Sequence, residues 1–105
     1  IRFSERQRIR HICDFAFEQA GFFPPTALTT YSFPSALELV AQGVGAAILP
    51  EHYLKKQLTD FPDLQIFLID PSYHAYWTST VCYYQSDYLP PAVSSFLNCL
   101  EEHFL

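Results

Sequence analysis

Apolar side chains recur three and four positions apart at the start of the chain, which is the spacing of one helix face. They are Ile9, Ile12, Cys13, Ala16, Phe17 and Ala20. Ser4 is the predicted N-cap of this first helix and Gly21 its predicted end. Charged side chains spaced by four are predicted to lie on its solvent face, and they are Arg2, Arg6, Arg10, Asp14 and Glu18. We interpret these arginines as a solvated helix face rather than as a phosphate site.

A second helix is predicted from residue 32 onward, because Pro34 suits the first turn of a helix. Either Ser32 is its N-cap, or Ser35 forms a capping box with Glu38. Its apolar stripe consists of Phe33, Ala36, Leu37, Val40 and Ala41, and it ends at residues 42–43. A third helix is predicted over residues 51–58, after Pro50. The last helix follows residues 90–91, with a stripe of Val93, Phe96, Leu97, Leu100 and Phe104.

Four other stretches have the composition of strands. Residues 26–31 are β-branched and aromatic, residues 44–50 and 64–70 are short apolar runs, and residues 77–84 are again β-branched and aromatic. The resulting order is α-β-α-β-α-β-β-α. This order predicts an α/β fold with a mainly parallel sheet flanked by helices.

Length and charge limit the classes of function. The chain has 105 residues, 50% of them apolar and 16% charged, so we expect one folded domain and no disordered tail. The longest apolar runs are far shorter than the ~20 residues that span a bilayer, so no membrane segment is expected. The formal net charge is −5, and after residue 10 the basic residues are Lys55 and Lys56. Direct DNA binding by these residues is therefore not expected.

No residue pattern indicates a metal, a cofactor or a reaction. The three cysteines and four histidines are widely spaced, so we expect neither a metal site nor a cofactor. Known phosphate-loop, dinucleotide, hydrolase and zinc-protease motifs are absent from the sequence. The chain is therefore predicted not to be an enzyme. A minor hypothesis uses His52 or His74 as a base together with Asp70.

The most informative pattern is a strand followed by Ser-Phe-Pro-Ser and a helix. In open α/β sheets, ligands bind beyond the carboxyl ends of strands, and a helix N-terminus favours an anion such as a carboxylate. Tyr31, Ser32, Phe33 and Ser35 would supply hydroxyls and an aromatic wall. In the alternative interpretation, the two serines are only helix caps and the phenylalanine belongs to the core.

The stretch SALELVAQGVGAAILP, residues 35–50, resembles the effector-binding domain of LysR-type transcriptional regulators. That family typically shows a serine-led helix, a turn with two glycines and an apolar strand that ends in proline. Residues 8–24 are similar to the helix, glycine and proline that precede this pattern. Residues 84–97 are similar to the family's closing strand and final helix, so the likeness covers nearly the whole chain.

The resemblance implies a cytoplasmic bacterial regulator whose effector domain has two subdomains of the periplasmic-binding-protein type. Residues 1–70 would match the second subdomain, and residues 78–105 the return strand and last helix of the first. A small-molecule effector, for example a small carboxylate, would bind between the subdomains. DNA would be contacted only through a winged helix outside these residues, and a homo-oligomer is expected. The effector-binding positions that the resemblance implies are Thr30, Tyr31, Ser32, Phe33 and Pro34, with Gly45 and Ala46 opposite them.

One alternative shares the same fold, namely a lobe of a periplasmic-type solute-binding protein. Three cysteines without an obvious pairing count against export to an oxidising compartment. We further expect that the apolar side chains Trp77, Tyr83, Phe96 and Phe104 need a packing partner. That partner would be either the core of this chain or a second copy.

Overall fold

The structure, a computed structural model, describes residues 1–76 and 78–104. Its elements in chain order are β1 (Arg2–Phe3), α1 (Arg8–Ala20), β2 (Thr29–Thr30), α2 (Phe33–Ala41), α3 (Glu51–Gln57) and α4 (Pro91–Phe104), with a 3-10 turn at Pro71–Tyr73. The two strands pair in parallel, with Arg2 opposite Thr29 and Phe3 opposite Thr30. Helix α1 connects them, so the predicted α/β class is confirmed.

Helix α1 begins later than the sequence predicted. Its N-cap is Gln7, and the prediction of Ser4 as the cap is wrong. The reason is that Ser4 continues β1: its N–H donates to the carbonyl of Thr30 at 3.0 Å. The same pairing places Arg2 on a strand rather than on the helix face predicted for it. The predicted end is confirmed, because Gly21 adopts a left-handed conformation with φ 76° at the C-cap.

Helix α2 has the predicted boundaries, and Ser32 rather than Ser35 is its N-cap. The Ser32 hydroxyl accepts a hydrogen bond from the N–H of Ser35 at 3.3 Å. One face of the helix is buried through Ala36 and Leu37, which are 0% and 2% exposed. Pro34 fits because a residue in the first turn needs no intrahelical N–H bond.

The core lies where α1, α2 and β1 meet. Its buried cluster is formed by Phe3, Ile9, Cys13 and Ala36. Phe3 packs edge-to-face on Phe33, with ring centroids 5.3 Å apart. The segment 47–49 is partly buried against the same cluster.

Three of the predicted strands do not form within the described residues, where β1 and β2 are the strands present. Residues 44–50 run beside β1, but one backbone bond, from the amino group of Ile1 to the carbonyl of Ala46 at 2.7 Å, joins them. Residues 64–70 and 78–84 have no strand to pair with. Their apolar side chains face solvent, as Phe67 at 83% and Tyr84 at 87% exposure show. Trp77 lies outside the described residues.

Helix α4 lies apart from this core. It packs against no other helix or strand among the described residues, and none of its side chains is buried. The radius of gyration is 17.8 Å, well above the ~13 Å of a compact chain of this length. The apolar stripe predicted for the last helix is therefore present but only partly covered: Val93, Leu97 and Leu100 are half-buried, whereas Phe96 is 58% and Phe104 79% exposed.

Candidate functional site

The loops that follow β1 and β2 meet at one edge of the sheet, because the strands are parallel. Ser4 follows the first strand and Tyr31 the second. Two hydrogen bonds hold the loops together. The N–H of Ser4 donates to the Thr30 carbonyl, and the Gln7 amide Nε2 donates to the Tyr31 carbonyl at 2.6 Å. This is the edge at which open α/β sheets bind ligands.

A polar pocket of about 460 Å³ extends along the two strands and reaches this edge. It is lined by Arg2, Ser4, Glu5, Arg6, Arg10, Thr26, Thr29 and Tyr31. Tyr31 is 76% exposed, so most of this lining residue is accessible to solvent. The sequence analysis assigned Arg2, Arg6 and Arg10 to a solvated helix face. In the structure they line the same pocket as Tyr31, which is one of the predicted site residues.

Asp14 on α1 binds two of these arginines. Its Oδ1 lies 2.8 Å from Nη2 of Arg2, and its Oδ2 lies 2.9 Å from Nε of Arg10. Arg10 also donates from Nη1 to the Phe3 carbonyl at 2.8 Å, and its Nη2 is 3.9 Å from Glu5. The network joins α1 to β1 through two arginines that line the pocket.

The electrostatics of the network keep Asp14 ionised. Partial burial acts to raise the pKa of this carboxyl, but the hydrogen bonds from Arg2 and Arg10 outweigh burial and hold the pKa below its ordinary value of 3.8. The guanidiniums of Arg2 and Arg10 therefore both have Asp14 as their counter-ion within the fold. Arg6 differs from them, since among the described residues it forms neither an ion pair nor a side-chain hydrogen bond.

The N-terminus of α2 offers fewer donors than the sequence suggested. Pro34 has no N–H, the N–H of Ser35 donates to the Ser32 hydroxyl, and the N–H of Ala36 donates to the Ser32 carbonyl at 3.0 Å. Within the described residues, Phe33 thus carries the one first-turn N–H without a partner. The cap and the proline together use up most of the donors that an anion would need there.

The remaining predicted site residues have mixed positions. Thr30 accepts the N–H of Ser32 on its Oγ1 at 3.2 Å, which shapes the loop between them. Phe33 packs between Phe3 and Tyr53, with centroid distances of 5.3 and 5.4 Å. Its aromatic ring therefore serves the core. Pro34 is exposed.

Gly45 and Ala46 line a different cavity, which the structure does not join to the loop after β2. That cavity has a volume of about 580 Å³ and is mainly apolar, with Phe17, Phe22 and Ile48 among its walls. It lies at the Ile1 end of β1, where Ala46 accepts the hydrogen bond from Ile1. Of the seven predicted site positions, Tyr31 alone lines the polar pocket.

Other chemistry finds no support in the described residues. Asp70 accepts a hydrogen bond from the N–H of Ser72 at 2.9 Å, which lowers the pKa of Asp70, so this carboxylate caps the 3-10 turn. His74 stacks loosely on Phe15 and Tyr76 rather than bonding to Asp70. In residues 1–76 and 78–104, no three or more metal-ligating side chains converge. No helix described here is long and apolar enough to cross a bilayer.

Seven of the eight residues that line the pocket were not predicted as site residues, and Arg6 and Ser4 are the two that follow β1 directly. The sequence feature that could have indicated them is the Phe-Ser-Glu-Arg stretch at the end of β1. It was overlooked because the arginines are four residues apart, which is also the spacing of a helix face. Recognising residues 2–3 as a strand would have placed both at the ligand edge.

Comparison with known proteins gives one match. The sequence model of a protein family, described as the LysR substrate binding domain, matches residues 1–105. No curated protein and no solved structure matches the chain.

Proposed function

Since the chain belongs to the family of LysR substrate binding domains, we propose that it senses a small-molecule effector for a bacterial, cytoplasmic transcriptional regulator. Domains of this family are ligand-binding modules of transcription regulators rather than enzymes, and their fold is of the periplasmic-binding-protein type. The α/β elements described above are consistent with that fold. The family match favours this function over a lobe of an exported solute-binding protein.

The observation that carries the site is the polar pocket at the carboxyl ends of β1 and β2. Parallel strands direct both following loops to one edge, and the hydrogen bond from Gln7 to the Tyr31 carbonyl fixes them there. Tyr31 offers an accessible ring and hydroxyl, and Ser32 supports the loop by capping α2. We place the effector against this edge, with Tyr31 in contact with it and with Thr30 and Ser32 holding the loop that carries Tyr31.

We further propose the division suggested by the resemblance, with residues 1–70 as the second subdomain and residues 78–105 as the return crossing to the first. The apolar stripe of α4 supports this, because it packs on no other described helix or strand and such a face is normally packed on a neighbouring layer. DNA contact is assigned to a winged helix outside these residues, in line with the net charge of −5.

The test is a ligand screen with a variant that leaves the fold intact. Ser32 is unsuitable because its removal also uncaps α2. Tyr31→Ala removes a side chain that is 76% exposed, and Tyr88→Ala is a matched control at 70% exposure outside the pocket. A library of small metabolites is screened by thermal shift, and the hits are titrated by calorimetry.

We expect the hits to bind Tyr31→Ala about 5- to 50-fold more weakly than the unaltered chain, because an aromatic contact and a hydrogen bond are lost. Tyr88→Ala should bind them as the unaltered chain does. Equal affinity of all hits for both variants would place the effector elsewhere, and a library without hits would argue against a sensor function.

A further inference from the structure

We propose that the polar pocket selects an effector carrying an oxyanion, a carboxylate or a phosphate, which Arg6 binds as its counter-ion. This inference rests on the proposed function, because it assigns a ligand class to the same pocket. It concerns a residue outside the seven site positions expected from the sequence. The observation behind it is that a guanidinium without a counter-ion lines the same pocket as the exposed Tyr31.

The polar pocket carries an excess of positive charge. Arg2, Arg6 and Arg10 line it. Its acidic groups are Glu5, which is part of the lining, and Asp14, which is paired with Arg2 and Arg10. Three positive charges face two negative ones, which leaves one positive charge in excess. The chain as a whole carries a net −5, so this excess is a local property of the pocket.

The excess positive charge can be assigned to one of the three arginines. Asp14 holds Arg2 and Arg10 at 2.8 and 2.9 Å, and Arg10 is further tied to the Phe3 carbonyl. Glu5 lies 3.9 Å from Arg10, with 86% of its side chain exposed, and is paired with no other arginine among the described residues. The uncompensated charge is therefore that of Arg6.

The N-terminus of α2 offers few free donors to an anion at this edge. Pro34 has no N–H, the Ser35 N–H donates to the Ser32 hydroxyl, and the Ser32 N–H donates to Oγ1 of Thr30. An oxyanion near Tyr31 thus depends on a side chain for its charge. A guanidinium presents paired N–H donors that match two oxygens of a carboxylate or phosphate.

The experiment uses inorganic phosphate and acetate as probes on the unaltered chain, Arg6→Gln and Arg8→Gln. Arg8 is an exposed arginine two residues away that does not line the pocket, so it controls for the loss of one positive charge. Arg6→Lys is the second variant, since it keeps the charge but not the paired donors. Binding is measured by calorimetry at constant ionic strength, and circular dichroism checks the helix content of each variant.

We expect Arg6→Gln to bind phosphate about 10- to 100-fold more weakly, as the loss of a charge-assisted hydrogen bond predicts. Arg6→Lys should fall between it and the unaltered chain, and Arg8→Gln should match the unaltered chain. Equal phosphate binding by Arg6→Gln and Arg8→Gln, or no binding by the unaltered chain, would overturn the inference.

The metabolite screen separates this inference from the proposed function. If uncharged hits bind Tyr31→Ala more weakly but bind Arg6→Gln unchanged, the sensor function is supported and the oxyanion preference is refuted. If neither charged nor uncharged compounds bind, the proposed sensor function is refuted. Anionic hits weakened by both variants support both proposals.

Discussion

Replacing Asp14 by asparagine should destabilise the fold by a predictable amount and with a predictable dependence on pH. Asp14 is the one acceptor that joins Arg2 of β1 to Arg10 of α1 among the described residues. Asparagine keeps the size of the side chain but removes its charge and one acceptor oxygen. The guanidinium of Arg10, whose side chain is only 12% exposed, is then left without its nearest counter-ion.

The magnitude follows from the geometry and the exposure. Hydrogen bonds to charged groups contribute about 1.5–3 kcal/mol when shielded, whereas exposed ion pairs contribute about 0.2–1 kcal/mol. The Asp14 side chain is 35% exposed and the Arg2 side chain 37%, so the pair with Arg2 is discounted and the pair with Arg10 dominates. We expect a loss of about 1–2 kcal/mol at pH 7. With an m-value of about 1–2 kcal/mol/M, the urea midpoint should fall by about 1 M.

The pH dependence has a definite sign. The folded-state pKa of Asp14 lies below its ordinary value, so the contribution of the carboxylate is complete above about pH 5 and is lost as the pH falls through the folded-state pKa. The difference between the unaltered chain and Asp14→Asn should therefore be constant from pH 7 to about 5. It should shrink below about pH 4, where protonated aspartate resembles asparagine.

Urea unfolding followed by circular dichroism at pH 7, 5 and 3 measures this difference. Glu18→Gln is the matched control, because Glu18 lies one turn further along α1, is exposed, and has no ion pair in the described part of the chain. A difference at pH 3 as large as at pH 7 would refute the electrostatic explanation. Equal stability of Asp14→Asn and Glu18→Gln at pH 7 would refute the role of the network.

Two further predictions concern the cysteines and the association state. Burial, reinforced by the Asp14 charge, raises the pKa of Cys13 to about 11, so only about one thiol in a thousand is ionised at pH 8, and the exposed Cys82 and Cys99 should be alkylated far faster. Mass spectrometry after brief iodoacetamide treatment checks this order, and simultaneous labelling of all three would contradict it. The exposed part of the apolar face of α4, where Phe104 is 79% exposed, should drive self-association. Light scattering should then show a mass that rises with protein concentration, and a constant monomer mass would contradict this.

Local signals in the sequence predicted the helices well. Gly21 ends α1 because a left-handed residue is needed there, and Ser32 caps α2 because its hydroxyl reaches the N–H of Ser35. Both effects involve residues within a few positions of each other. The apolar stripe that buries Ala36 and Leu37 likewise depends only on helical spacing.

Strand formation was predicted less well, because pairing depends on residues far apart in the chain. Residues 2–3 look like part of a helical charge pattern, yet they form a strand because the backbone groups of β2 are within reach. Residues 44–50 and 64–70 look like buried strands, but an apolar run specifies a strand only when a neighbouring strand satisfies its backbone. The same long-range pairing brings Arg6 into the pocket that Tyr31 lines, and for this reason the sequence alone did not place Arg6 at the candidate site.

The exposed segment 64–69 has a consequence for the handling of the chain by the cell. The hexapeptide LQIFLI is uncharged, rich in strand-forming side chains and free of proline, which are the properties of sequences that form intermolecular β-sheets. Asp63 and Asp70 flank it, and charges in such flanking positions oppose aggregation by mutual repulsion. We therefore expect these two carboxylates to act as gatekeepers that oppose intermolecular β-sheet formation by this exposed segment.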